Sequence, residues 1–237
     1  MGNILHSGNI ICSAIIIGKS WLLVQGFCVT SAVPIVPSGY TITPANKLTI
    51  TLGTAHDNTV EQLPVSRIVL HPDFNYSSRV NNLALVKLST PLTYNSTVGP
   101  VKIDTRTLAP QTSIIGLAYP QPGTYEGMLI FNAVQAVTAP AATYTDLIKG
   151  GTPLDSNAVV VAEKDTGGSR KAFDTNGGIF TEASNGSHAL LSLPLAIMRN
   201  EGDKDAQGIY LQYRLAPAVA WMAAATGISV NALSLKG

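Results

Sequence analysis

Charge is what this sequence has least of. Asp, Glu, Lys and Arg make up 12% of its 237 residues, against roughly 25% in ordinary soluble domains. With a formal net charge of +1, the chain has no clustered cations with which to hold nucleic acid or an anionic membrane, so both partners are excluded. No apolar run reaches the roughly 18 residues that a membrane-spanning helix needs, and a soluble chain is expected. His6, His56, His71 and His188 show no metal-ligand spacing with one another or with the cysteines. They read as loop histidines. The glycine pairs Gly167-Gly168 and Gly177-Gly178 are followed neither by Lys-Ser/Thr nor by a helical pattern, which argues against a phosphate cradle. No metal or cofactor is expected. Cysteine is equally scarce: Cys12 and Cys28 are the only two.

What is present is apolar and β-branched. Apolar residues make up 46% of the chain, and its length is ample for a large core as one domain or as two small barrels. The most informative stretch is Ser7 to Val29. It holds both cysteines, the run Ile15-Ile16-Ile17, a turn at Gly18-Lys19-Ser20 and a second apolar run from Trp21 to Val24. Two strands joined by a short turn are expected there. Further short strands are expected at Leu48 to Leu52, Val65 to Leu70, Leu83 to Leu88, Val98 to Ile103, Ser113 to Leu117, Leu129 to Val137, Ala158 to Ala162 and Ala189 to Leu193. Repeated strands without helical periodicity between them make the class all-β, a sandwich or barrel architecture. Pro217, the run Ala218 to Ala225 and Gly227 predict one short C-terminal helix, with Trp221 packing its apolar face onto the barrel. Asp165-Thr166-Gly167 has the letters of an aspartic protease signature, but Glu163-Lys164 precede it and no second copy exists, so it reads as a turn. Tyr119 to Tyr125 reads as an exposed loop.

The end of the first stretch, Gln25-Gly26-Phe27-Cys28, resembles the Ala-Ala-His-Cys of the trypsin/chymotrypsin-like serine protease family, in which the residue before the second cysteine is the catalytic histidine. Here it is Phe27. Arg67 to Asn75 followed by Asn81 to Leu88 resembles the family's His-Pro-x-Phe loop and Asn-Asp-Ile-x-Leu-x-Lys-Leu strand, whose aspartate orients that histidine. Here it is Asn82. Weaker likenesses run through Ile114 to Ala118, Gly208-Ile209-Tyr210 and Trp221. The resemblance implies two antiparallel Greek-key β-barrels, residues 1–106 and 107–237, forming one trypsin-like domain with the C-terminal helix. It also places the family's mature N-terminus about fourteen residues before Met1, so the first barrel is expected to be N-terminally truncated and to lack the buried ammonium that shapes the site.

The family's nucleophile lies in Gly-Asp-Ser-Gly-Gly-Pro, and Phe173 to Ile179 is the comparable stretch. Matching Gly177-Gly178 puts Asn176 at the serine, Thr175 at the ammonium-binding aspartate and Asp174 at the oxyanion-hole glycine. A shift by one puts Thr175 at the nucleophile and Asp174 at the buried aspartate. The first register is preferred because it keeps the glycine pair. Either way no catalysis is expected. A hydroxyl needs an adjacent base held in the right tautomer by a third group, and loss of the base alone costs on the order of a million-fold in turnover. A carboxylate at Asp174 would also repel a developing oxyanion. Ala189 to Pro194 resembles Gly-Ile-Val-Ser-Trp-Gly, whose last residue bonds an extended substrate through its backbone, and Pro194 has no N–H to donate.

The resemblance further implies a disulfide between Cys12 and Cys28, with two buried free thiols as the alternative. Such a bridge places the chain in a secreted or other oxidising compartment. Sequons at Asn75, Asn95 and Asn185 agree with this, although chance alone would give roughly two or three. No signal peptide is present, so a secreted protein would be a processed or trimmed form. Met1-Gly2 opens like a myristoylation signal, but His6 stands where Ser or Thr is required. Three readings of function follow. The first is a pseudoprotease that binds another protein as inhibitor, decoy or scaffold. The second is a self-assembling structural protein, permitted by low charge and positive hydropathy. The third is an unusual hydrolase working through Thr175.

Overall fold

A computed structural model describes residues 1–33, 39–52, 62–77, 79–107, 113–118, 130–135, 158–162, 177–183, 186–198 and 209–236. Of the stretches singled out above, His56, Tyr119 to Tyr125, Asp165 to Gly168, Asp174, Thr175, Asn176 and Asn185 lie outside them.

The first half forms β1 (Gly2–His6), β2 (Asn9–Gly18), β3 (Trp21–Val24), β4 (Thr30–Ala32), β5 (Tyr40–Ile42), β6 (Leu48–Leu52), β7 (Leu63–Leu70) and β8 (Ala84–Leu88). Six of these strands close an antiparallel barrel in the order β1-β2-β3-β8-β7-β6, while β4 and β5 pair with each other. β1 bonds both β2 and β6, so the strands present complete the barrel. The β1–β2 hairpin turns on Ser7 and Gly8, both at positive φ (52° and 80°). Two such residues match the twist of the flanking strands in a two-residue hairpin.

The second half forms β9 (Lys102–Asp104), β10 (Ser113–Ala118), β11 (Ile130–Gln135), β12 (Ala158–Ala162), β13 (Gly177–Glu182), β14 (His188–Met198), β15 (Ile209–Arg214) and β16 (Ser234–Leu235). The sheet runs β11-β10-β13-β14-β15-β12, and β9 joins it beside β14 and β16. The end strands β11 and β12 approach each other, so the sheet curls as a barrel does. Helix α1 (Val219–Thr226) ends where Gly227, at φ 75°, donates its N–H to the Ala223 carbonyl. Glycine is the residue that takes that left-handed cap at least cost. A second short helix, α2 (Val230–Leu233), follows. The all-β architecture with a short C-terminal helix is thus the one expected.

Val65 to Leu70 begins two residues earlier, at Leu63, and two strand expectations change further. Val98 to Ile103 is a strand only over Lys102–Asp104, because Pro100 has no N–H for a ladder and Val98 is drawn into the Asn95 turn. Ala189 to Leu193 extends to His188–Met198. Pro194 is tolerated there because the β14–β15 register shifts between Pro194 and Ala196, a bulge that relieves the missing donor.

The core is built by alternation. Along β2 and β3, Cys12, Ala14, Ile16, Leu22 and Val24 point into the first barrel with Ile4, Leu48, Ile50, Val86 and Leu88. Their neighbours Ile15, Ile17, Trp21 and Leu23 point outward, into a second cluster with Ile103, Phe180, Leu190, Leu193, Tyr213 and Met222. Period-2 geometry makes both faces of these strands core. Trp221 of α1 also packs on this second cluster, its ring 4.7 Å from that of His71.

One charged pair is built into this junction. Asp104 is fully buried, and the Arg106 guanidinium donates to both of its carboxylate oxygens, at 3.0 and 2.7 Å. The Thr181 hydroxyl of β13 donates to the same carboxylate, and Arg214 of β15 donates to the Arg106 carbonyl. Burial alone would raise the Asp104 pKa. The hydrogen bonds from Arg106 and Thr181, with the Arg106 charge, outweigh it and hold the carboxyl below its ordinary range.

Because this carboxyl is depressed in the folded state, its stabilisation is complete above the unfolded value of about 3.9. It is lost as pH falls from there through the lower folded value. Arg106→Leu strands a buried carboxylate and is expected to cost about 3–5 kcal/mol near neutral pH, with less of the difference remaining in acid; urea titration at several pH values measures this. Cys12 and Cys28 are bonded, and serine at both positions is expected to remove about 3 kcal/mol by the loop-closure argument, read as a lower urea midpoint.

Candidate functional site

The candidate site grows out of the end of β3. After Val24 the chain leaves the sheet through Gln25 and makes a single 3-10 turn over Gly26–Val29. Cys28 N–H closes it on the Gln25 carbonyl at 3.1 Å, and the Thr30 hydroxyl bonds the Gly26 carbonyl at 3.1 Å. The Cys12–Cys28 bridge, with Cα atoms 6.1 Å apart, ties the turn to β2. Phe27 is therefore held at a fixed place on a rigid frame.

Asn82, buried just before β8, faces it. Its Oδ1 accepts the Phe27 backbone N–H at 2.8 Å. Its Nδ2 is buried with no hydrogen-bond partner among the described residues. The neighbouring Asn81, in the left-handed region at φ 51°, takes the Tyr213 hydroxyl on its own Oδ1 at 2.7 Å. Since Tyr213 belongs to β15, this bond joins the loop before β8 to the second sheet. The two positions expected from sequence to stand together, Phe27 and Asn82, are in direct contact.

The ring of Phe27 is half-buried, and the Arg79 guanidinium lies over it, 4.8 Å from the ring centroid. Beside it, Phe74 touches the position of Gly26 and meets Tyr40 and Tyr76 edge-on at 5.3 and 6.3 Å, while those two tyrosines stack at 5.9 Å. The face around Phe27 is thus aromatic, with one guanidinium upon it.

Across the junction, Gln25 Nε2 donates to the Pro194 carbonyl at 3.0 Å. An acceptor that the resemblance assigns to an extended substrate is here bonded by the chain's own side chain. Gly178 packs between Leu190 and Ile15, and a Cβ there would fall 2.6 Å from the Leu190 Cδ1. Close packing of the two halves accounts for this glycine without any catalytic role.

Chemically, the pair formed by Phe27 and Asn82 offers a ring without a lone pair and a carboxamide without a charge. Neither takes a proton from a hydroxyl at neutral pH, and a neutral amide gives little stabilisation to a neighbouring cation. His71, half-buried on Trp221, takes the Asp73 N–H on Nδ1, and His6 and His188 are exposed. Among the described residues no three His, Cys, Asp or Glu side chains gather as metal ligands, and no helix is long and apolar enough to cross a membrane. Asn75 and Asn95 are exposed. Sequence reasoning missed Arg79, Gln25, Asn81 and the Asp104–Arg106 pair. Gln25, Asn81 and Arg79 meet partners distant in sequence, while Asp104 and Arg106 are two residues apart and gain their importance from burial against β13 and β15.

Asn82→Ala leaves the partly buried Phe27 N–H without its acceptor and is expected to cost about 1–3 kcal/mol, measured as a fall in the urea midpoint.

The Trypsin family model matches residues 1–178. Trypsin-1 of Astacus astacus is 30% identical over 129 residues, which cover 54% of this chain and 52% of that protein. Trypsin-1 of Salmo salar is 24% identical over 176 residues, 73% of this chain and 66% of its own length. Mannan-binding lectin serine protease 1 of Rattus norvegicus is 24% identical over 234 residues, 94% of this chain and 32% of that protein. The chain spans about half the length of the Astacus astacus trypsin, 66% of the Salmo salar trypsin and 32% of the mannan-binding lectin serine protease. With that match covering most of its residues, and a β-barrel joined to a second curled sheet with a C-terminal helix, the chain belongs to the trypsin family.

Proposed function

We propose that this chain is a non-catalytic member of its family, a pseudoprotease that acts by binding another protein. The observation that carries the reading is the direct contact of Phe27 with Asn82. The scaffold that holds a base and its orienting group is kept, while both residues have lost the chemistry. The Gln25 bond to the Pro194 carbonyl supports the same reading, because it occupies an acceptor that an extended peptide would use. The disulfide supports a secreted or other oxidising location.

Self-assembly is the second reading, and the low charge content favours it. The exposed large apolar side chains among the described residues are Ile42 and Val230. Two single side chains, one on β5 and one on α2, make no extended apolar patch by themselves.

Binding predicts that the purified chain stays monomeric in light scattering as its concentration rises, and that it leaves its native source in a stoichiometric complex with a different protein. Growth of scattering mass with concentration, without such a complex, would favour assembly instead. Phe27→His alone is expected to restore no turnover like that of an intact triad, because the histidine would have a neutral carboxamide beside it in place of a carboxylate, and Asn176, at the serine position in the preferred register, has no hydroxyl to activate. A peptide-hydrolysis assay of the refolded variant checks this.

A further inference from the structure

Asn95 lies in the connection between β8 and β9 and is exposed. It begins the sequon Asn95-Ser96-Thr97, which has Thr at the third place and no proline between. Its carboxamide is held in one orientation. Oδ1 accepts the N–H of Thr97 at 2.8 Å, the hydroxyl of Thr97 at 3.0 Å and the N–H of Val98 at 2.8 Å, while the Asn95 backbone N–H donates to the Val98 carbonyl at 3.0 Å. Every one of these bonds uses the oxygen or the backbone. Nδ2 makes none among the described residues, so a substituent on it would break nothing in the fold.

The place of the turn matters as much as its shape. The Leu92 N–H bonds the Lys19 carbonyl, and the Lys19 ammonium sits 5.9 Å from the Tyr94 ring centroid. The Asn95 turn therefore packs on the β2–β3 turn, at the end of β3 remote from Phe27. At about 3.3 Å per extended residue, β3 alone separates Trp21 from Val24 by about 10 Å, and the turn carrying Phe27 lies beyond Val24. Asn75, by contrast, adjoins Tyr76, which belongs to the aromatic face beside Phe27.

From the free Nδ2, the oxygen-anchored turn and the disulfide that marks an oxidising compartment, we infer that Asn95 carries an N-linked oligosaccharide. The donor is an oligosaccharide on a lipid pyrophosphate. The bond from Nδ2 to the sugar's anomeric carbon forms, the bond from that carbon to the pyrophosphate oxygen breaks, Nδ2 releases one proton and the lipid pyrophosphate leaves. The glycan hydrates one end of a barrel whose surface is poor in charge. It leaves the Phe27 end uncovered for a partner and blocks stacking of copies through the glycosylated end. The inference stands independently of the pseudoprotease reading, since it concerns the opposite end of the barrel.

The test is site occupancy in the full chain after passage through a eukaryotic secretory pathway, with the disulfide confirmed as formed. Peptide N-glycosidase F in heavy-oxygen water is expected to convert Asn95 to labelled aspartate, with loss of one glycan from the intact mass. Asn95→Gln and Thr97→Ala should each remove that glycan, and Thr97→Ser should retain it. An unlabelled, unmodified Asn95 peptide from the secreted, disulfide-bonded protein overturns the proposal, as does a glycan found at Asn75 with Asn95 bare. The wild-type peptide decides the matter even where a variant fails to fold.

Discussion

The structure depends on two strands whose opposite faces are both core. β2 and β3 send their even-numbered side chains into the first barrel and their odd-numbered ones into the junction with the second sheet. A strand of this kind admits no charge on either face, which accounts for the unbroken Ile15-Ile16-Ile17 run. It also fixes the register, because a slip of one residue would exchange the two faces and place every side chain in the wrong core. The turn carrying Phe27 begins where β3 ends, and the disulfide ties it back to β2. The position of the site is therefore set by the same packing that joins the two halves of the molecule.

At that position a hydrogen-bond frame links two residues, Phe27 and Asn82, neither of which ionises. Asn82 still accepts a backbone N–H from the turn, which an amide oxygen does as well as a carboxylate. What an amide lacks is the charge that would favour an imidazolium, and Phe27 offers no imidazole. On the proposed reading, geometry and proton transfer have come apart at this pair of residues. The charged chemistry of the junction sits elsewhere, in Asp104 and Arg106, where it binds β9, β13 and β15 together. The Gln25–Pro194 and Asn81–Tyr213 bonds add uncharged ties across the same boundary. Under the proposed binding reading, a face ordered by such contacts costs less entropy to present to a partner.

Much of the fold was legible because its signals are local. The Gly18-Lys19-Ser20 turn, the short bounded strands, and the Pro217 and Gly227 limits of the helix all depend on neighbours in sequence. Where reading failed, the cause was either a local breaker given too little weight or a contact distant in sequence. Val98 to Val101 has the composition of a strand, but Pro100 and the Asn95 turn remove it from the ladder. Pro194 is expected to interrupt a strand and instead sits at a bulge within β14. At the site, Phe27 and Asn82 could be paired through the family resemblance of their surrounding residues. Arg79 over the Phe27 ring, and Gln25 reaching Pro194 across 169 residues of chain, carry no local signature. Asp104-Thr105-Arg106 reads as an ordinary polar turn until burial makes its carboxylate a junction.

The central claim is that this scaffold binds without catalysing. It is tested most directly by exposing the purified, disulfide-bonded chain to a diverse peptide library and to a fluorophosphonate probe at neutral pH. The account predicts no covalent labelling and no cleavage above the uncatalysed rate. Labelling at Thr175, or turnover that Thr175→Ala abolishes, would contradict it.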